Sequence, residues 1–338
     1  MIFYVAHREH AYTQAVVLLY HRTDLQASFR LVRYEDAELL RGVRAGVVIW
    51  SDMDRLTADE LRRAASLSDE LAEKTGLTQL NHPTASLQRF ELLRLLHADG
   101  SNAFRVFRPR QLEDTIRYPV FVRDEVGALY NEPPLLHGRP ALDAAIARLE
   151  GSNLVRPMVV EMIGTPSADG YYRKFAAFRV GDRIYGQHCA MSKSWFVKNS
   201  VDELLPAHID EIRTYINTNP DADAVMHVFE KAHMQYGRID YTFVDGRLVV
   251  FEINSNPTVL SDPPTPFASY DPKPFADLHA DALLALPQVS APDSLVEIDA
   301  AHRAALAKLR RRYHLRRLKL VLRKVLRNRK RALPEAAP

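Results

Sequence analysis

Residues 238–258 read RIDYTFVDGRLVVFEINSNPT. Asp240 and Glu252 interrupt two apolar β-type runs, and Asn254 follows Glu252 by two residues. Residues two apart on a strand share a face, so Glu252 goes with Asn254 and Arg238 with Asp240. Whether the two pairs share one face depends on the connection between the strands. A two-residue Asp245-Gly246 turn would set Ile239 opposite Glu252 and place Asp240 on the other face. A three-residue loop, Val244 to Gly246 with Gly246 left-handed, would set Arg238 opposite Glu252 and Asp240 opposite Val250, with Asp240 diagonal to Glu252 on a common face. Oxygens of this kind suit a hard cation: Mg²⁺ takes one or two protein carboxylates and fills its other positions with phosphate and water. Asn254 adds a neutral oxygen, and Arg238 a fixed positive charge for a phosphate. Without a cation, two buried carboxylates would repel each other. The chemistry therefore predicts an odd-length loop or a bulge near Gly246.

Rival phosphate motifs are missing. The sequence has no GxxxxGK[ST], and no two of its thirteen glycines are spaced as GxG. Neither GxSxG nor HExxH occurs. His227, Glu230 and His233 have a metal-like spacing, but positions six apart diverge by roughly 120° around a helix, so they read as ordinary helix residues. The lone cysteine, Cys189, reads as packing.

Arg-x-Asp followed after about a dozen residues by Glu-x-Asn-x-x-Pro, here RIDY…FEINSNP, resembles the Mg·ATP signature of the ATP-grasp superfamily. The resemblance extends over residues 119–258. It implies that Asp240, Glu252 and Asn254 hold two Mg²⁺ ions and that Arg238 steadies the transferred phosphoryl group. YPVFVR (118–123) resembles the strand whose terminal lysine reaches the nucleotide phosphates; Arg123 stands in that place. VVEMIG (159–164) resembles the interdomain strand that receives adenine, with Glu161 and the backbone of Met162 and Ile163 reading its edge, or else Glu161 is only a strand-end carboxylate. YYRKFAAFRVGDRIYGQH resembles the hairpin that grips ATP from above. Of its two cations, Lys174 is favoured over Arg173, because neighbouring strand residues face opposite ways. MSKSWFVK (191–198) resembles a mobile loop closing on phosphate through Lys193, or else it is an exposed basic loop with Trp195 packed beneath it. Arg89 resembles a further cation of the preceding domain, or else is solvated on an amphipathic helix.

What such a site does follows from its parts. Mg·ATP without a side-chain nucleophile suggests direct phosphoryl transfer to a bound acceptor, which is mostly positioning and charge neutralisation. The resemblance implies a carboxylate–amine ligase that phosphorylates a carboxylate, joins the acyl phosphate to an amine or similar nucleophile, and releases ADP and phosphate. A kinase on the same fold and a nucleotide-binding regulatory protein without turnover are the alternatives. The substrates, small-molecule or peptide, are not legible.

The elements that must position this site read as α/β and α+β. Strands IFYVA, SFRLVRY, GVVIW and TQLNHP alternate with helices at TQAVVLLYHR, at TADELRRAASLSDELAEKTG and at SLQRFELLRLLHADG. That alternation predicts a small N-terminal parallel-sheet domain over 1–110. Thr57 and Glu60 form a capping box, with Gly76 as the helix stop. Antiparallel runs flanked by helices predict a central subdomain over 111–186 and a C-terminal subdomain carrying the metal site over 187–290. The proline-dense stretch 255–274 reads as a surface loop bordering the substrate pocket. A basic helical tail covers 297–332.

Composition bounds the rest. Of 338 residues, 47% are apolar, which gives enough material for a real core. One cysteine precludes an internal disulfide and fits a reducing compartment. With no signal peptide and no membrane span in the pattern, a cytoplasmic protein is expected. The net charge of +3 hides an asymmetry: residues 301–338 carry +13 and the remainder −10. The tail is helix-like, with Leu315, Leu318, Leu322 and Val325 forming an apolar stripe. It suits docking on the acidic body or self-association with a second copy, an acidic protein, the anionic surface of a membrane or non-specific nucleic acid; specific nucleic-acid recognition is not expected.

Overall fold

The computed structural model describes residues 1–8, 10, 19, 22–74, 76–127, 131–197, 204–259, 273–287 and 295–332. Most of the helix expected at TQAVVLLYHR and most of the loop expected at 255–274 lie outside the described residues.

Strands β1 (Ile2–Ala6), β2 (Phe29–Arg33), β3 (Ala45–Trp50) and β4 (Gly76–Leu80) form a parallel sheet in the order β2-β1-β3-β4. All five residues of β1 are buried, as in a strand covered on both faces. Helix α1 (Ala58–Ala72) starts on the expected capping box: the Thr57 hydroxyl accepts the Glu60 N–H while Glu60 accepts the Thr57 N–H. Its C-cap is Glu73. Gly76 does not stop this helix but opens β4, where a Cβ would lie 2.2 Å from the Arg44 carbonyl oxygen. Only glycine lets β4 approach β3 there.

Helix α2 (Arg89–Ala98) leads into a three-stranded antiparallel sheet, β5 (Val106–Phe107), β6 (Val120–Asp124) and β7 (Pro157–Glu161), ordered β5-β7-β6. Helix α3 (Arg139–Ala147) covers one face through Leu142, which packs with Val120 and Val159. The opposite face, Met158 and Val160, packs with Phe90 of α2 and with Val249.

The largest sheet is antiparallel. Strands β8 (Tyr172–Val180), β9 (Arg183–Ser192), β10 (Tyr236–Val244) and β11 (Arg247–Asn254) run in the order β11-β10-β8-β9. The subdomain boundary expected at 186/187 falls inside β9, because the β8–β9 hairpin pairs with β10 rather than with the smaller sheet. Likewise β5 precedes the boundary expected at 110. Helices α4 (Pro206–Thr218) and α5 (Ala222–Lys231) cover one face of the large sheet, where Ile212, Tyr215, Val225 and Phe229 meet Ile239, Tyr241 and Val250. On the other face α6 (Lys273–Leu284) covers only one end, packing Phe275 against Phe178. The remaining half of that face carries the polar residues described below.

Helix α7 (Val296–Ala332) begins packed on β2, an edge strand. His302 Nδ1 accepts the Leu31 N–H at 2.9 Å, and Asp299 pairs with Arg30. Burial lowers the His302 pKa to about 4 and that of fully buried His279 to about 3. The unfolded chain therefore binds more protons than the folded one below about pH 6.5. Stability is expected to fall as pH drops from there towards 4, by up to about 1.4 kcal/mol per pH unit for each of these groups. Urea midpoints measured across that window check this. His302→Gln, whose amide oxygen still accepts the Leu31 N–H, should flatten the slope; an unchanged slope would refute the account.

Candidate active site

The β10–β11 hairpin closes on a two-residue turn. Val244 pairs with Arg247, and Asp245 and Gly246 both have positive φ (51° and 73°), the conformation of a tight hairpin turn. The three-residue loop is thus not formed. The register is restored by a bulge farther along: Tyr241 pairs with Val250 but Asp240 with Glu252, leaving Phe251 as the extra residue. Arg238 then lies opposite Asn254, not Glu252, and Asp240 lies directly opposite Glu252. All four share one face. The edge of β11 beside the bulge is pinned by Asn102, whose side-chain amide donates to the Val250 carbonyl and accepts its N–H, each at 2.9 Å.

Asp240 is almost completely buried, yet it sits between two cations. Arg238 Nε donates to Oδ1 at 2.8 Å and Lys174 Nζ to Oδ2 at 3.0 Å. Burial alone would raise its pKa; Arg238 and then Lys174 outweigh that and hold it well below the usual carboxylate range. Lys174 reaches Asp240 because Ala176, two residues on, pairs with Asp240 across β8–β10. Arg173 faces the other way and is bound to Asp169 and Glu211.

Glu252 is met from the opposite side. Arg89, the first residue of α2, forms an ion pair with its Oε2, and Arg123 Nη2 lies 3.9 Å from the same oxygen. Arg89 is therefore not a solvated helix residue. Both guanidiniums also donate to the Gly127 carbonyl, at 3.3 and 3.2 Å. Burial, then repulsion from Arg89, pushes the Arg123 pKa well down. Four cations thus bond or flank two carboxylates. Asp54, Glu125 and Asp124 also act on Arg89; desolvated cations clustered in this way are suited to a polyanion. The Asn254 side-chain oxygen accepts the Asn256 N–H at 2.9 Å, which orients the amide and leaves its second lone pair. Among the described residues no His, Cys or third acid joins the pair as a closed metal cage. Two carboxylates and an amide beside clustered cations fit Mg²⁺ bound together with phosphates.

The structure uses three other expected residues differently. Glu161 shares its strand face with Val159, toward α3, whereas Arg123 pairs with Met158 on the face toward β11. Its carboxylate is taken up by Arg105 and Arg117, each at 2.7 Å, and by the backbone N–H groups of the same two residues. Its oxygens are thus engaged within the fold, where the expectation offered them to an adenine edge. The Met162 N–H is donated to the Pro119 carbonyl at 2.9 Å, so it is not offered to a base either. Ile163 does pack on the face with Phe90 and Val249. Lys193 lies over the ring of Tyr171 at 5.6 Å, and its loop is held by Trp195 against Phe121 and by Ser194 on Glu132.

Several residues of this site carry no sequence signal. His188 pairs with Ala176 and so joins the face of Asp240. Burial, then Arg238, lowers its pKa to about 3, which makes it a neutral neighbour of the cations. At the parallel sheet, Asp52 follows β3 in a left-handed conformation (φ 56°) and accepts from the His7 N–H, Asn256 Nδ2 and His10 Nδ1 at 3.0, 2.7 and 2.5 Å. The Asp52 N–H donates to Ser255 Oγ at 3.0 Å. A hydrogen-bonded path therefore runs from Asn254 through Asn256 and Asp52 to His10. It ends where β1 and β3 point their carboxyl ends, the position at which the strand order reverses and open α/β sheets bind ligands.

The architecture has known counterparts. No protein-family model matches the chain, nor does any curated protein sequence. Among solved structures, a carboxyaminoimidazole ribonucleotide synthase from Aspergillus clavatus, complexed with ATP, aligns at a TM-score of 0.50 and 12% identity, over 85% of this chain and 78% of that one. The chain has the ATP-grasp fold. A D-alanine–D-alanine ligase from Bacillus anthracis aligns at 0.48 and 11% identity, over 84% of this chain and 97% of that one. A RimK-domain ATP-grasp protein from Sphaerobacter thermophilus aligns at 0.46 and 14%, over 84% and 99%. In ATP-grasp terms, the cation-rich face lies where the β8–β9 hairpin, the small sheet and the β10–β11 hairpin meet.

Proposed function

We propose that this protein is an ATP- and magnesium-dependent ligase that activates a carboxylate as an acyl phosphate and joins it to an amine or similar nucleophile, releasing ADP and phosphate. The observation that carries this reading is the direct pairing of Asp240 with Glu252 inside a ring of Arg89, Arg123, Lys174 and Arg238. The ATP held by the fungal synthase of the same fold supports a nucleotide here.

Asp240, Glu252 and Asn254 would hold Mg²⁺, which when bound neutralises the phosphate oxygens and orients the triphosphate. Arg123, Lys174 and Arg89 would bind the phosphates, and Arg238 would steady the group in transfer. The one thiol does not serve as nucleophile: Cys189 is buried on the far face, and burial pushes its pKa well up. In this reading the phosphoryl group passes directly to a bound acceptor oxygen. The acceptor would lie beside His10, whose ring Asp52 fixes through Nδ1, leaving Nε2 to take the proton of the attacking amine.

The test incubates the protein with ATP, Mg²⁺ and a cell metabolite extract and follows ADP, free phosphate and product masses. The expected result is ADP and phosphate in equal amounts with a product formed by condensation with loss of water. ADP without free phosphate, with a product heavier by one phosphoryl group, would make it a kinase. Stabilisation by Mg·ATP with no ADP formed would make it a binding protein.

A further inference from the structure

Helix α7 changes character along its length. Its first part packs on the body through Ile298, His302, Ala305 and Leu309, all buried. Beyond that, Leu315 and Leu318 are 51% and 56% exposed. We propose that residues 311–332 form an in-plane anchor for an anionic lipid bilayer.

The angular arrangement carries the argument. At about 100° per residue, the positions that continue the packed face are Arg316, Leu320, Arg323 and Arg327. The apolar stripe of Leu315, Leu318, Val321, Leu322, Val325 and Leu326 is centred roughly 150° away around the axis. The face that packs on the body in the first part of the helix is therefore not the face that carries the stripe. A second copy of the tail is a poor cover too. Residues 311–332 hold eleven Lys and Arg and no Asp or Glu, so two tails face to face would bring like charges together. Nucleic acid would engage the basic face and leave the stripe in water.

An anionic bilayer satisfies both faces. The stripe enters the boundary between headgroups and acyl chains, and long side chains at its margins, such as Arg312, Arg317 and Lys319, reach anionic headgroups. The body, which carries −10, then lies on the side of the helix away from the surface, so its charge does not oppose binding. The segment is about 33 Å long. Among the described residues no helix is long and apolar enough to cross a membrane, which is consistent with a helix lying in the interface.

The test sediments the full chain with vesicles of phosphatidylcholine alone and of phosphatidylcholine mixed with phosphatidylglycerol. The chain should pellet with the anionic vesicles and not with the neutral ones, and less so in high salt. The double variant Leu318→Glu with Leu322→Glu should lower the bound fraction on the order of tenfold with an unchanged melting temperature. Failure to bind anionic vesicles overturns the proposal. So does equal binding by the double variant, a preference for homopolymeric RNA that the variant shares, or a solution dimer lost in the variant without lipid binding.

Discussion

Asp240→Asn is expected to reduce ATP turnover on the order of a thousandfold while leaving nucleotide binding largely in place. The two effects separate because different groups carry them. ATP would be held mainly by Arg89, Arg123 and Lys174, whose charges the substitution does not touch. The carboxylate would instead supply a metal ligand, and it fixes Arg238 and Lys174 through one oxygen each. Asparagine keeps the shape but offers one acceptor oxygen, so its NH₂ group must face the other cation. That places donor against donor in a buried site, and a loss of about 1–3 kcal/mol in stability accompanies the substitution. ADP release at saturating ATP, compared with the melting temperature of the same preparation, separates lost chemistry from lost fold. Glu252→Gln is the companion variant, because Glu252 is partly exposed and its loss perturbs the fold less. Full turnover by either protein would remove the metal assignment.

How far the sequence reveals this site depends on which interactions define each part. Asp240, Glu252 and Asn254 are conspicuous because polar residues break strands that are otherwise apolar. The alternation of the first eighty residues likewise betrays a parallel sheet. The register of the hairpin is not legible from its own residues. Asp245-Gly246 makes the two-residue turn its dipeptide favours, and the compensating bulge at Phe251 lies beside Asn102, a partner 148 positions away. A local rule cannot see that contact. Arg89 has the spacing of a solvated helix residue; only the packing of α2 on β11 turns it toward Glu252. His188 and the Asp52–His10 pair belong to no motif. The signal available for Asp52 and His10 was topological: both follow strands that flank the point where the sheet order reverses.

Glu161→Ala is expected to destabilise the fold by about 3–5 kcal/mol and to change the KM for ATP much less than a lost adenine contact would. The carboxylate is 2% exposed and is enclosed by two guanidiniums and two backbone N–H groups. Removing it leaves the backbone N–H groups of Arg105 and Arg117 without that acceptor and takes from both guanidiniums their shared carboxylate. Burial by itself would raise the Glu161 pKa, but hydrogen bonds from Arg105 and then Arg117 bring it below the ordinary value. The cluster is therefore held by charge, and this part of the stability should fall when acid protonates the carboxylate. Functionally, the clamp ties residues 105 and 117 to the end of β7, which sets the position of Met162 and Ile163 beyond it. A nucleotide base would then meet backbone and the Ile163 side chain, not a glutamate. Urea unfolding of Glu161→Ala, set beside its ATP dependence, tests both parts. Unchanged stability with a tenfold or greater rise in KM (about 1.4 kcal/mol) would return Glu161 to the role its sequence context suggests. A large loss of stability with KM nearly constant would establish it as the brace that positions the strand.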